Sequence, residues 1–257
     1  GLIVSDATGM AGLGSWMTRA EFVPEVIAAG CDVVLFTPTL AADIATVEQA
    51  LEDGRLTWAR IDEAVARQLA LKAALGLHKN PPVPRGERSR SKDRTFADDV
   101  MARVPTLVRD RKGVLPLSPE KTHCIYLVSE GIVRPMEATP RPLALAEMLR
   151  AEGFEVTEHE WGTPVSPERH DLLLFAFAEE SLLTRGTITL DWLGMNGHFI
   201  PALKRHWHDL PSLMISFGHP YYLYEATHVP AYINAYSGIP EMQRAVVDAI
   251  MGRKPFR

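Results

Sequence analysis

Two short apolar runs, residues 2–4 and 31–36, are each followed by a loop and then a helix-like stretch. That alternation constrains the N-terminal part of the chain more than any other feature. Runs rich in β-branched residues suit strands buried on both faces, and strands separated by helices pair in parallel. Ser5 and Asp6 fall where the first run ends, and residues 7–14 read as a loop. In α/β folds ligands gather outside the carboxyl ends of the strands, which places Asp6 at the mouth of a pocket. The competing reading makes Asp6 a helix cap that accepts a backbone N–H. Position alone leaves both open.

Residues 18–29 then read as a helix ending at Gly30, and 31–36 as the second strand. A helix over 41–52 stops at Gly54. Thr57 has the character of an N-cap for a helix over 58–75, in which Ile61, Val65 and Leu69 place one apolar stripe toward the core. Gly76 supplies its left-handed C-cap. Residues 79–95 hold three prolines and no apolar period, so they read as a linker. The basic cluster Arg85, Arg88, Arg90, Lys92 and Arg94 has no interleaved aromatic residues for base stacking and reads as solvated charge.

Beyond the linker, 96–108 reads as a helix, 109–112 as a charged turn and 113–117 as an extended segment. Strands are expected over 123–129, 155–159, 172–176, 213–217 and 231–234, with helices over 142–151, 197–208, 220–226 and 240–251. This order implies right-handed βαβ units and a mostly parallel sheet.

A net charge of −5 offers no general attraction to nucleic acid or an anionic membrane. No run approaches the roughly 18 apolar residues of a spanning helix. Cys31 and Cys124 lie in apolar segments of what read as different domains, so two buried free thiols are expected rather than a disulfide or a metal pair. His198, His206 and His208 have no matching partners at ligand spacing, and no metal is expected. Gly12-Leu13-Gly14 lacks a phosphate-loop frame, and neither Ser5 nor Ser237 sits in an esterase elbow. Asp32 begins a strand and reads as a turn or capping residue.

Three strings taken together are more specific. Gly1-Leu2-Ile3-Val4-Ser5-Asp6-Ala7-Thr8-Gly9-Met10 resembles the nucleophile segment of glycoside hydrolase family 3, in its β-N-acetylhexosaminidase-like branch. Ala28-Ala29-Gly30-Cys31-Asp32-Val33-Val34-Leu35 resembles that family's next strand, and the stretch from Gly54-Arg55-Leu56-Thr57 to Gly76-Leu77 resembles its closing helix. Asp110 stands where the family usually has Asn, and Ser216-Phe217-Gly218-His219-Pro220 and residues 231–237 match its later segments more loosely.

The resemblance implies an α/β architecture: the C-terminal fragment of a (β/α)8 TIM barrel over 1–78, a linker over 79–95, and an α/β sandwich domain with a mostly parallel sheet over 96–257. A closed barrel takes about 250 residues and eight strands, so two strands imply a missing N-terminal barrel segment of the same protein. The implied activity is retaining hydrolysis of β-linked N-acetylhexosamine in chitin- or peptidoglycan-derived oligosaccharides, with Asp6 as nucleophile, no cofactor, and a fragment inactive alone. Met10 and Trp16 are expected at the pocket mouth. In the hexosaminidase branch the acid/base is a His–Asp pair upstream of Gly1; in glucosidase-like members a Glu of the second domain serves, and Glu179 and Glu180 are the candidates. The alternatives are a β-glucosidase or β-xylosidase of the same family, or a non-catalytic glycan- or protein-binding module.

Overall fold

The computed structural model describes residues 1–79, 90–133, 139–163, 165–180 and 187–257. The chain divides into two compact units, Gly1–Gly86 and Glu87–Arg257.

In the first unit β1 (Val4–Ala7) is followed by a single helical turn, α1 (Ala11–Gly14), and by α2 (Arg19–Ala28), then β2 (Val33–Leu35), α3 (Leu40–Glu52) and α4 (Trp58–Ala74). β1 and β2 pair in parallel, Val4 with Val33 and Ala7 with Leu35. α2 begins in a capping box between Thr18 and Glu21. The Thr57 side chain accepts the Arg60 N–H at the start of α4, and Gly76, at φ 67°, ends that helix.

Two expectations fail here for one reason. The first strand lies two residues later than the apolar run, so Asp6 is within β1, and its burial is incomplete: Ile3 and Val4 are about half exposed. The stripe on α4 is also open, with Val65 and Leu69 exposed. A two-stranded sheet has too few neighbours to cover these faces. The buried contact of α4 is polar instead, made by Arg60 and Arg67 with Asp32.

The second unit is a six-stranded sheet in the order β3-β8-β7-β6-β4-β5. Its strands are β3 (Thr106–Asp110), β4 (Cys124–Val133), β5 (Glu155–Glu158), β6 (Leu172–Glu179), β7 (Ser212–Ser216) and β8 (Ala231–Asn234). All pairings are parallel except that of β3 with β8. Every residue of β6, the central strand, is buried. Its alternate residues Leu172, Leu174, Ala176 and Ala178 join a core with α6 (Leu145–Ala151) and α9 (Pro240–Ile250). Leu173, Phe175 and Phe177 join a second core with Tyr126, Trp207 and Tyr222 on the other face. The sheet is therefore covered on both sides, as parallel strands require.

The expected helix over 96–108 proves to be α5 (Arg90–Met101) followed by β3, which starts at Thr106. Thr106, Leu107 and Val108 favour extended backbone, and β8 offers them an edge. α5 also begins inside the stretch read as linker; residues 80–89 lie outside the described ones, with Arg85 and Arg88 of the basic cluster among them. The long helix expected over 197–208 is only the short α8 (Phe199–Leu203), preceded by another short helix, α7 (Trp192–Asn196), from which Gly197 at φ 62° divides it. Residues 220–226 yield only a 3-10 turn at Tyr222–Tyr224. Cys31 and Cys124 are free as expected, but only half-buried. No described helix is long and apolar enough to cross a membrane.

Candidate functional site

Asp6 occupies the third position of β1 with its side chain exposed. Its Oδ1 accepts the N–H of Ala7 at 2.7 Å. It does not cap α1: the residue at that cap is Met10, and no side chain bonds to the first turn. The helix-cap reading of Asp6 thus fails, because the carboxylate is spent on its own neighbour in the strand.

The strand ends around Asp6 are held from several directions. The Ser5 hydroxyl donates to the Asp6 carbonyl at 2.8 Å and accepts the Leu35 N–H at 2.9 Å, a bridge between β1 and β2. Thr8, buried, donates its N–H to the Leu35 carbonyl and its hydroxyl to the Phe36 carbonyl. Arg19 is the hub. Its guanidinium grips Asp43 with both oxygens at 2.6 Å, and also reaches the Thr8 hydroxyl and the Phe36 carbonyl, both at 3.3 Å. A planar fork suits this bidentate grip. The Asp43 carboxyl is held below the usual range by its hydrogen bond from Arg19.

The opposite ends of the same strands carry a second polar knot. Asp32, with its side chain fully covered, accepts the Ile3 N–H at 2.9 Å, Arg60 at 2.8 Å and Arg67 at 3.3 Å. The Ile3 N–H above all, and the two guanidinium groups, hold its carboxyl down to about 2. Asp32 is a buried hub, not the simple turn residue its position suggests. Because its folded value lies below the unfolded one of about 3.9, its stabilisation is complete above pH about 4 and lost as pH falls toward about 2. Calorimetry between pH 5 and 2 is expected to show the transition of the first unit moving down with acid. In Asp32→Asn that movement is expected to become smaller, from a lower starting temperature, with Asp43 left to supply part of the remainder.

Met10 is about half exposed and Trp16 is 76% exposed, both on the segment that leaves β1.

In the second unit the parallel strands run β5-β4-β6-β7-β8, so the strand order reverses between β4 and β6. At such a switch point a crevice opens outside the carboxyl ends of the strands. Val133 of β4 pairs with Glu179 of β6 there. β6 runs three residues beyond the strand expected over 172–176, so Glu179 ends the strand, buried, 3% exposed. Glu180 follows, exposed, and its Oε1 accepts the Ser237 hydroxyl at 3.0 Å and the Gly238 N–H at 2.7 Å. Its carboxylate ties the loop before α9 to the end of β6. Gly218 lies against the same strand end: a Cβ on it would stand 2.1 Å from the Glu179 carbonyl oxygen.

Asp6 was legible from its strand end; Arg19 and Asp43 were not, since 24 residues separate them and neither belongs to a short pattern.

Residues 1–71 match the glycosyl hydrolase family 3 N-terminal domain. Over its whole length the chain is 35% identical to a β-N-acetylglucosaminidase/β-glucosidase of Cellulomonas fimi and covers 48% of that protein. Among solved structures it is similar to a β-glucoside phosphorylase, BglX, at 32% identity and a TM-score of 0.82, covering all of this chain and 48% of that one. A family 3 β-N-acetylglucosaminidase from Paenibacillus sp. str. FPU-7 shares the fold, at 20% identity and a TM-score of 0.74, with all of this chain and 50% of that one covered. The chain spans about half the length of these relatives. Residues 1–71 thus carry the match to the glycosyl hydrolase family 3 N-terminal domain, and the whole chain is similar to about half of each of these relatives.

Proposed function

We propose that the chain is the C-terminal part of a retaining glycosidase acting on β-linked N-acetylglucosamine or glucose in short oligosaccharides, with Asp6 as the nucleophile. The observation that carries this reading is the exposed Asp6 carboxylate within β1, its carbonyl bonded by the Ser5 hydroxyl and the strand end beyond it held by Thr8 and Arg19, inside the residues that match the family domain. A retaining mechanism needs a fixed carboxylate that attacks the anomeric carbon and a second group about 5–5.5 Å away that protonates the leaving oxygen. Asp6 supplies the first of these. For the second, the N-acetylhexosaminidase reading calls on a His–Asp pair in the segment preceding Gly1, and only a glucosidase-like reading calls on Glu179 or Glu180.

The first unit is read as the last two βα pairs of a barrel, joined by a linker to an α/β sandwich. Open apolar faces support this: Phe36, Leu40, Trp58 and Leu69 are each more than half exposed, a pattern that marks a surface meant to be covered. The missing barrel segment is the covering partner. The C. fimi relative's name carries both N-acetylglucosaminidase and β-glucosidase, and we favour N-acetylglucosamine from the Asp6–Met10 string.

Phosphate instead of water as the acceptor is a second reading, favoured by the BglX phosphorylase at 32% identity. In that case the glycosyl–Asp6 ester is opened by phosphate, and the sugar leaves as its 1-phosphate.

The test is trapping in the intact parent protein. A 2-fluoro glycosyl donor is expected to leave one sugar on the peptide 1–10; a label elsewhere, or none, refutes Asp6. Release of the trapped sugar in phosphate buffer, with analysis for sugar 1-phosphate, separates the two acceptors. The chain as given is expected to show no turnover of nitrophenyl β-N-acetylglucosaminide above a buffer blank, because it holds at most part of the catalytic pair.

A further inference from the structure

We infer that the amino-terminal end of the large sheet carries a divalent transition-metal site, formed by His123, Cys124 and Glu155. Cys124 opens β4 and Glu155 opens β5, and the two are direct partners in the parallel ladder. Partners in register present their side chains on the same face of the sheet, side by side. The Cys124 Sγ accordingly lies 3.6 Å from Glu155 Oε2. His123, the residue before β4, brings its Nε2 to 3.8 Å from the same oxygen. One donor atom from each of the three lies within 4.8 Å of the others.

These spacings are those of a ligand set. A tetrahedral zinc with sulfur at about 2.3 Å and nitrogen or oxygen at about 2.0–2.2 Å spaces neighbouring donors by roughly 3.3–3.6 Å. Movements of up to about an ångström at the exposed His123 and Glu155 side chains close the set. The donors are mixed: one soft sulfur, one imidazole nitrogen and one carboxylate oxygen. That combination selects zinc, or cobalt in its place, over magnesium or calcium, which take oxygen. Three protein donors leave a fourth position for water, and since His123 and Glu155 are exposed the ion exchanges readily.

The backbone beneath the donors is fixed independently of any ion. The Glu155 N–H donates to the His123 carbonyl at 2.9 Å, which locks those two positions together. The Cys124 N–H donates to Asp171 Oδ2, and the Asp171 N–H returns to the Cys124 carbonyl, both at 2.8 Å. Asp171 is therefore a positioning residue that anchors the sulfur-bearing strand end while adding negative charge behind it, a common second layer around bound metals. When the metal–sulfur bond forms, the Cys124 thiol proton passes to solvent. The site joins the edge strand β5 to β4 at the far end of the sheet from Glu179, so the ion's effect is on the sheet edge and not on sugar chemistry.

The test uses the full chain, reduced and freed of metal, titrated with cobalt(II). Binding is expected to raise the near-ultraviolet charge-transfer band of cobalt thiolate, saturating at one ion per chain, and zinc is expected to displace the cobalt and raise the melting temperature. Cys124→Ser is expected to abolish the band and Cys31→Ser to leave it intact. Glu155→Gln, at an exposed position where folding is undisturbed, is expected to weaken binding at least tenfold. A missing band in the unsubstituted chain, a band that survives Cys124→Ser, or one that disappears with Cys31→Ser overturns the site. So does zinc stabilisation that is unchanged by Glu155→Gln.

Discussion

Asp6→Asn in the intact parent enzyme is expected to lower kcat by more than about a thousandfold, a rise of roughly 4 kcal/mol in the barrier. Asn has the size of Asp and keeps an oxygen that accepts the Ala7 N–H, the one hydrogen bond the Asp6 side chain makes among the described residues. What it loses is the charge and the nucleophilic oxygen, so no glycosyl ester forms. Folding is expected to move little, because Asp6 is exposed and the strand end is held by Ser5, Thr8 and Arg19 rather than by its carboxylate. A variant that kept more than about a tenth of the parent's turnover, a loss of under ~1.4 kcal/mol, would sink the assignment. A steep fall in melting temperature alongside the lost activity would show instead that the carboxylate holds the fold.

The largest loss of stability is expected in the second unit, from Gly218→Ala. β7 and β6 stay hydrogen-bonded past the end of the strand: Phe217 donates to the Phe177 carbonyl and His219 to the Glu179 carbonyl. Between those bonds Gly218 faces the backbone of β6. An added Cβ would lie 2.1 Å from the Glu179 oxygen and 2.5 Å from its carbon, with the Glu180 nitrogen at 3.0 Å. These neighbours are main chain in the central strand and have no rotamer to yield with. The cost is expected at the upper end of the about 1–3 kcal/mol usual for overpacking, read as a lower denaturant midpoint with unchanged slope. A midpoint within error of the unsubstituted chain would show that the two strand ends separate without cost. Because Glu179 and Glu180 are the atoms displaced, the same variant in the parent reports whether this strand end matters to turnover.

Much of this architecture is legible in the sequence where local signals agree. Thr18 with Glu21, Thr57, and Gly76 mark their helix ends by themselves, and α9 follows from Pro240 and its apolar spacing. The central strand reads as an apolar run, but the expected end at 176 falls short of Phe177, Ala178 and the buried acid Glu179 that close it, an acid that by itself looks like the start of a loop. β3 is hidden for the opposite reason. Its residues, Thr106 to Asp110, look like the tail of a helix and a charged turn until β8, more than a hundred residues later, gives them a partner. The site divides in the same way. Asp6 stands out by its place after an apolar run, while Arg19 with Asp43 and Asp32 with Arg60 and Arg67 are pairings between single charged residues on separate elements. No period or spacing announces such pairs; only packing does.

The Arg19 fork also bears on the order in which the molecule is made. Its four contacts link Thr8, Arg19, Phe36 and Asp43, a span shorter than the first two strand–helix pairs. Contacts of such short separation close early, since little loop entropy opposes them. On a ribosome, the Arg19 fork cannot close until Asp43 has emerged, and from that moment all four of its members are available. The strand end that carries Asp6 thus gains these contacts during synthesis, from residues within the next forty, before the large sheet exists.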